Sequence, residues 1–129
     1  MNHNLVLNST EPVWLQRLRH QRAIALVRAD SLELGERLAR LAIGAGLTMI
    51  EIAWTDQDAA LTIAKLRRDF PGCDIGAGTV LSAAAAQAAI AAGAQFLFSP
   101  YTDQAIIAVA RAASIPCIPG ALTPTEIHQ

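Results

Sequence analysis

The chain has 129 residues, and its 53% hydrophobic content is enough to build one globular domain with a buried core. Ten basic and eleven acidic residues leave a formal net charge of -1 with no basic cluster, which excludes nucleic acid and acidic membrane surfaces as partners. No apolar run approaches the roughly 20 residues of a membrane-spanning helix, and the first eight residues lack the layout of a signal peptide, so we expect a cytoplasmic protein.

The N-terminal segment, residues 1–9, is polar and is expected to form a flexible tail. A first helix is predicted from Thr10 and Pro12 to about Gln21. A hydroxyl can cap a helix, and proline at the first helical position lacks only an N–H that the helix leaves unused. Residues 10–129 are then predicted to form one domain.

After this helix, the sequence repeats a short apolar run followed by a polar helix start. Continuous apolar runs are typical of strands buried on both faces, and the intervening segments have helical spacing. In the helix expected after Ser31, the apolar face consists of Leu34, Leu38, Leu41 and Ala42. The strand centres recur every 21 to 26 residues, and the five predicted strands are Ala23–Val27, Met49–Ile52, Cys73–Gly76, Gln95–Phe98 and Pro116–Pro119.

This alternation of strands and helices predicts a parallel sheet with right-handed crossovers. Periodicity alone fits either an eight-stranded (β/α)8 barrel or an open, doubly wound sheet of five strands. The last residues favour the barrel, because Thr123 and Glu126 form a capping box around Pro124 and only three residues follow. We interpret the chain as the front portion of a longer polypeptide, truncated after the fifth strand.

Glu51 is the first catalytic candidate, because it lies within an otherwise apolar strand where an unpaired carboxylate is costly to desolvate. Burial would raise its pKa, which suits a group that takes and returns protons near neutral pH. Arg28 ends the first strand, where a guanidinium can bind a carboxylate or phosphate through two hydrogen bonds. The alternative for both residues is a structural ion pair between adjacent strands.

Other candidate positions follow the later strands. Gly76 and Gly78 let the backbone approach a ligand, Thr79 adds a hydroxyl, and Ser99–Pro100 makes a rigid turn. Trp54 can either line the mouth of a pocket or pack beneath a loop. These residues would all lie at the carboxyl ends of parallel strands, where ligands bind in such folds.

No metal site is predicted, because the three histidines and two cysteines have no metal-ligand spacing. The histidines are expected on the surface. Cys73 and Cys117 are interpreted as small buried hydrophobes.

Five strand-end segments together resemble the 2-keto-3-deoxy-6-phosphogluconate (KDPG) aldolase family in order and spacing. The resemblance covers nearly everything from Ala23 onward. It implies the first five βα units of a compact (β/α)8 TIM barrel, preceded by an N-terminal helix, of a kind that usually forms homotrimers and needs neither metal nor cofactor. The segments are Val27–Ser31, Ile50–Ile52, Gly76–Val80, Phe98–Pro100 and Ile118–Glu126.

The resemblance also implies a reaction. Members of this family are class I aldolases, lyases of the Entner–Doudoroff route that cleave KDPG into pyruvate and glyceraldehyde 3-phosphate through a lysine Schiff base. By the same resemblance Glu51 is the general acid/base, Thr79 and Pro100 line the pyruvyl pocket, and Arg28 lies beside the pyruvyl carboxylate.

This sequence departs from the family pattern at several points. Ala53 and Thr55 stand where some relatives have threonine and arginine, which leaves Arg28 to bind the carboxylate. The Schiff-base lysine belongs on the sixth strand and the phosphate-binding glycines on later loops, and this chain ends before them. Lys65 is its only lysine and is predicted on the water-facing side of a helix, so the isolated chain is expected to be inactive.

Two alternatives remain open. A sister phosphate-binding barrel enzyme of sugar-phosphate metabolism would keep the fold and change the reaction. A non-catalytic half-barrel would close its edge strands by associating with itself or with a partner. The sequence also leaves open the configuration of the sugar acid and whether the substrate must be phosphorylated.

Overall fold

The computed structural model describes residues 11–55 and 58–128. Within these ranges, helices and strands alternate along the chain as predicted. The predicted tail and Thr10 lie outside the described residues. In chain order the elements are α1 (Val13–Gln21), β1 (Ala25–Val27), α2 (Leu32–Gly44), β2 (Met49–Ala53), α3 (Ala59–Asp69), β3 (Asp74–Gly78), α4 (Ala83–Ala91), β4 (Leu97–Ser99), α5 (Gln104–Ala112), β5 (Cys117–Pro119) and α6 (Pro124–His128).

All pairings in the five-stranded sheet are parallel, and the strand order is β1-β2-β3-β4-β5. Each strand therefore pairs with the next one in sequence. A doubly wound sheet would reverse its order at a switch point, whereas a barrel wall keeps it. The predicted fold class, the N-terminal part of a (β/α)8 barrel, is confirmed.

One side of the sheet, which we call the helix face, packs against the helices. Successive side chains of a strand point to opposite sides, so Ile50, Ile52, Ile75 and Ala77 share this face. They belong to one buried cluster with apolar residues of the helices, including Ile63, Leu66 and Ile106. Burial of this cluster holds the helices on the sheet.

The opposite side, which we call the inner face, carries the alternate residues of the same strands. Helix α1 packs against this face near the amino ends of the strands. The Trp14 ring lies 5.6 Å from the ring of Phe96, centroid to centroid, and Arg17 forms an ion pair of 2.7 Å with Asp74 at the start of β3. Helix α1 thus covers the amino ends of the central strands and leaves their carboxyl ends free.

The predicted apolar face of α2 is wrong for its three leucines, whereas Ala42 is partly buried against the core as predicted. Leu34, Leu38 and Leu41 are exposed, and the buried residues of the helix are Gly35 and Ala39. The reason is close packing against α3, since a Cβ on Gly35 would lie 3.3 Å from the Thr62 hydroxyl oxygen. Small residues let the two helices approach, and the larger leucines project away from the contact.

The predicted helix starts are borne out in most cases. Ser31 accepts a hydrogen bond from the backbone N–H of Leu34, and the capping box closes because the Glu126 carboxylate accepts from the N–H of Thr123 at 2.8 Å. For α1, the cap is Pro12, which makes no side-chain cap bond, so proline precedes the first helical position instead of occupying it. No helix in the described part of the chain is long and apolar enough to cross a membrane.

Candidate active site

The candidate site lies on the inner face, at the carboxyl ends of β1, β2 and β3. Its central residue is Glu51 in β2, which is 8% exposed. Strand pairing places Leu26 of β1 on one side of it and Gly76 of β3 on the other. The carboxylate extends along β3 to Gly78, where a Cβ would overlap its Oε1 atom and lie 2.9 Å from its Cγ. Glycine at position 78 therefore leaves the space that the carboxylate occupies.

Burial changes the protonation of this carboxyl. Desolvation raises the pKa of Glu51 above its ordinary value, and the nearby positive charge of Arg28 partly opposes the rise. A carboxyl with a raised pKa holds a proton closer to neutral pH and can return it, which is the property required of a general acid/base. The burial predicted from the sequence is confirmed, and so is its effect on the pKa.

Arg28 follows β1 and is exposed at the same end of the sheet. Its Nη2 atom donates a hydrogen bond of 3.3 Å to the hydroxyl oxygen of Thr79. The hydrogen bond goes to Thr79, so among the described contacts Arg28 acts on Glu51 through space and not as a direct ion pair. Thr79 takes one of the five guanidinium N–H donors, and the others can serve an anionic ligand.

Thr79 has a backbone conformation that few residues of its kind adopt. Its φ of 57° lies in the left-handed region, which is unfavourable for a β-branched side chain. The turn begins directly after Gly78, whose carbonyl accepts a hydrogen bond of 2.7 Å from the Trp54 N–H. Strand β3 is thereby held against β2 until its last residue, and the chain then turns so that the Thr79 hydroxyl reaches Arg28.

Pro100 lies at the same end of the sheet, but its neighbour is Gly120 in the loop after β5. It follows β4 and is exposed, and its carbonyl oxygen lies so close to Gly120 that a side chain at position 120 would overlap it. The Thr102 hydroxyl donates a hydrogen bond of 2.9 Å to the Gly120 carbonyl, which ties the two loops together. The structure thus brings Glu51, Arg28 and Thr79 together and places Pro100 in the adjoining loops.

The remaining chemical candidates lie elsewhere. Lys65 is on α3, where its Nζ atom forms an ion pair of 2.6 Å with Glu36 of α2, outside the sheet. The two described histidines, His20 and His128, are exposed, whereas His3 lies outside the described residues. Cys73 is buried and Cys117 half-buried, and burial raises the pKa of both thiols. In residues 11–55 and 58–128, no group of three His, Cys, Asp or Glu side chains is arranged to hold a metal ion.

Two glycines have a role in the structure that differs from the predicted one. Gly76 and Gly78 were expected to let a ligand approach the backbone, but protein side chains fill both spaces. A Cβ on Gly76 would lie 2.6 Å from Cγ of the Phe96 ring, just as one on Gly78 would meet Glu51. The spacing of two residues puts both glycines on one face of β3, and the pairing of Gly76 with Glu51 makes it the face that carries Glu51. Trp54 packs against the buried cluster of the helix face, which favours the packing interpretation of that residue.

Comparison with known proteins yields one family. A sequence model described as KDPG and KHG aldolase matches residues 15–129. The chain is 37% identical over 112 residues to a 2-dehydro-3-deoxy-phosphogluconate aldolase from Treponema pallidum, covering 87% of this chain and 53% of that protein. It is 35% identical over 104 residues to a Rhizobium meliloti protein named "Probable 2-dehydro-3-deoxy-6-phosphogalactonate aldolase", covering 80% of this chain and 49% of the other.

Solved structures give the same result. A KDPG aldolase from Legionella pneumophila, crystallised with pyruvate captured as a covalent carbinolamine intermediate, superposes with a TM-score of 0.73 at 28% identity. The superposition covers 81% of this chain and 51% of that one. The chain therefore spans about half the length of the relatives it matches.

Proposed function

This chain belongs to the KDPG and KHG aldolase family, and from that premise we propose that it supplies the acid/base part of a class I aldolase that cleaves KDPG into pyruvate and glyceraldehyde 3-phosphate. The observation that supports this role is the burial of the Glu51 carboxyl, with a raised pKa, at the carboxyl end of the sheet. Ligands of parallel α/β folds bind at that end.

Glu51 would move the protons of the reaction. With the substrate carbonyl held as a lysine iminium, the Glu51 carboxylate accepts the proton of the C4 hydroxyl while the C3–C4 bond breaks. The bonding electrons pass to the iminium and give an enamine, and the aldehyde product leaves. The protonated Glu51 then returns its proton to the enamine carbon, and hydrolysis of the resulting iminium releases pyruvate.

The neighbouring residues would orient the pyruvyl group. Arg28 is the cation of the site and would bind the carboxylate of the keto acid. Thr79, which already accepts a hydrogen bond from Arg28, would hold the same group from the side of β3, and Pro100 would line the adjoining wall. Such positioning lowers the entropic barrier of a reaction whose electron sink is a covalent iminium.

The nucleophile, in this proposal, comes from outside these 129 residues. Lys65 is the only lysine, and it is paired with Glu36 on the outer helices. A Schiff-base lysine needs burial or a cationic neighbour in a pocket, whereas the Lys65 side chain is 39% exposed and has a carboxylate as its neighbour. The 129-residue chain alone would then be inactive.

The experiment that tests the proposal is trapping with pyruvate and borohydride, read by intact mass. The 129-residue chain should stay unmodified. A polypeptide that continues beyond Gln129 should gain one reduced pyruvyl group on a lysine of its added part. An adduct on the 129-residue chain that disappears in Lys65→Arg would overturn the assignment of the nucleophile. Failure of the longer polypeptide to form any adduct would overturn the aldolase proposal.

The cellular setting follows from the same family. We expect the whole protein to be cytoplasmic and to assemble as a homotrimer, with the keto acid and sugar phosphate as its small-molecule partners. Light scattering of the longer polypeptide checks the assembly, and a monomer or dimer would contradict it.

One observation favours the non-catalytic alternative. Leu26 of β1, on the inner face beside Glu51, is 56% exposed, and β1 and β5 are the edges of the described sheet. An exposed edge with an apolar residue promotes association. If the 129-residue chain forms a defined dimer that charged substitution at Leu26 dissociates, the half-barrel would have a binding role of its own.

A further inference from the structure

We propose that Gly78 is a positioning residue for Glu51: the absence of a side chain at position 78 leaves the space in which the Glu51 carboxyl lies against β3. This inference rests on the proposed role of Glu51 as the acid/base. Its structural content does not depend on the reaction.

A side chain at position 78 would clash with Glu51. An ideal Cβ at position 78 would overlap Oε1 and Cδ of Glu51 and lie 2.9 Å from Cγ. Real Cβ atoms essentially never approach another heavy atom so closely, so any residue other than glycine forces a displacement. Three atoms of one side chain are affected, so a small rotation of the carboxylate cannot relieve the overlap.

The need for glycine at position 78 arises from space and not from backbone conformation. Glycine is often required where the backbone adopts a positive φ, and the described glycines with positive φ are Gly46 and Gly93. Gly78 is not one of them, so an alanine could adopt its backbone conformation. The constraint at position 78 is therefore the volume taken by the Glu51 side chain.

The backbone at Gly78 is held by strand pairing, so the Glu51 side chain is the part that would move. Strands β2 and β3 are paired over five successive residues, and the Trp54 N–H donates to the Gly78 carbonyl at 2.7 Å just beyond the last pair. Backbone displacement at Gly78 would break this ladder. An alanine at position 78 must then push the Glu51 side chain away from β3, which exposes the carboxylate to water.

The same displacement would alter the electrostatics of the site. Burial is the larger influence on the Glu51 carboxyl, and Arg28 is the charged group that acts on it. Moving the carboxylate into water removes the desolvation that raises its pKa. The absence of a side chain at position 78 thus keeps the Glu51 carboxyl buried and its pKa raised.

A matched control is available two residues earlier. Gly76 lies on the same face of the same strand, and a Cβ there would lie 2.6 Å from Cγ of Phe96. Gly76→Ala therefore also adds one methyl group to the inner face, but this group clashes with the Phe96 ring and not with the Glu51 carboxylate. A general loss of packing and a specific displacement of Glu51 can be told apart.

The first measurement is a carbon-detected NMR titration of the Glu51 carboxyl in the 129-residue chain. In Gly78→Ala the pKa should fall toward the ordinary value of a glutamate, whereas in Gly76→Ala it should stay raised. An unchanged pKa in Gly78→Ala, or an equal fall in both variants, would overturn the proposal.

The second measurement works even if Gly78→Ala is too unstable for NMR. Overpacking by one methyl group should lower the Tm of Gly78→Ala by roughly 5–10 °C. In the background of Glu51→Ala, which removes the displaced group, most of this loss should disappear. An equal loss in both backgrounds would overturn the proposal.

These outcomes are independent of the aldolase chemistry. Neither measurement uses a substrate. The coupling between positions 51 and 78 can therefore be observed even if the longer polypeptide forms no pyruvyl adduct. Conversely, an absent coupling would leave the pyruvate test untouched.

Discussion

Strands β2 and β3 present opposite kinds of surface to their two sides. On the helix face, Ile50, Ile52 and Ile75 fill a continuous apolar cluster in which side-chain volume is the important property. On the inner face, Glu51 occupies the space left by Gly78 and Phe96 the space left by Gly76, so the lack of volume of the two glycines is the important property. In a strand buried on both sides, one set of alternate residues can thus form the apolar core while the other carries the carboxyl that we propose as the acid/base.

The two faces should therefore respond differently to substitution. Removing atoms from the helix face leaves a cavity and lowers stability. On the inner face, adding atoms is the damaging change, and removing the charge of Glu51 relieves a cost of burial.

The largest effect is expected for Ile75→Ala on the helix face. Ile75 is fully buried, and loss of its side chain should lower the free energy of unfolding by about 3 kcal/mol. Urea unfolding measures the change. Leu61→Ala, on the exposed side of α3, is the control and should change stability by less than about 0.5 kcal/mol. Equal losses at both positions would refute the division into faces.

Glu51→Gln should have a smaller effect of opposite sign that depends on pH. The pKa of Glu51 is raised in the folded state, so the stability linked to its protonation is present below the ordinary glutamate pKa. That stability is lost as the pH rises through the raised value. Relative to Glu51→Gln, the wild-type chain should therefore lose stability between acidic and neutral pH.

Thermal unfolding of both chains across this range measures the difference. Glu126→Gln is a useful comparison, because hydrogen bonds from Leu122 and Thr123 lower the pKa of the Glu126 carboxyl. It should show the opposite sign, with stability lost as the pH falls through that lowered value. A pH-independent gap for Glu51→Gln would contradict a raised pKa.

Thr79→Gly should stabilise the chain by about 0.5–1 kcal/mol, because glycine adopts a positive φ without the strain of a β-branched residue. It should also remove the hydrogen bond to Arg28 and weaken any binding of pyruvate. Thr79→Ala separates the two effects, since it loses the hydroxyl but keeps a side chain at the strained position. A stability loss in Thr79→Gly would show that the hydroxyl contact outweighs the strain.

The smallest effect is expected for Lys65→Met on the outer helices. Its ion pair with Glu36 is partly exposed and should contribute less than about 1 kcal/mol. Borohydride trapping with pyruvate should be unchanged. A large loss of stability would show that ion pairs between the outer helices stabilise the fold as strongly as the buried core does.

The sequence was sufficient for the number and order of the strands and for the burial of Glu51. A charged residue inside an apolar strand is a local signal, and the spacing of the strands fixes a parallel sheet, so both could be predicted from the order of residues alone. The strands are shorter than predicted at β1, which covers Ala25–Val27 instead of Ala23–Val27. The first two residues lack a pairing partner on β2.

Two failures have physical causes that the sequence does not show. The leucines of α2 were assigned to the core because they are large and apolar, but the helix approaches α3 closely and only Gly35 and Ala39 fit between them. The role of Gly78 depends on its nearness to a residue of the neighbouring strand. That nearness is fixed by the register of two strands, which no local pattern reports.

The contacts of α1 set an order on assembly. Although this helix comes first in the chain, Arg17 reaches a residue 57 positions later, and Trp14 meets Phe96 at the start of the β4 region. Contacts between residues so far apart in sequence have a large loop-closure entropy cost and form slowly. Strands β1, β2 and β3 each pair with the next strand along the chain, so their contacts close shorter loops. Helix α1 should complete its docking only after β4 has been synthesised and paired, so Trp14 fluorescence, resolved from that of Trp54, would report the arrival of β4.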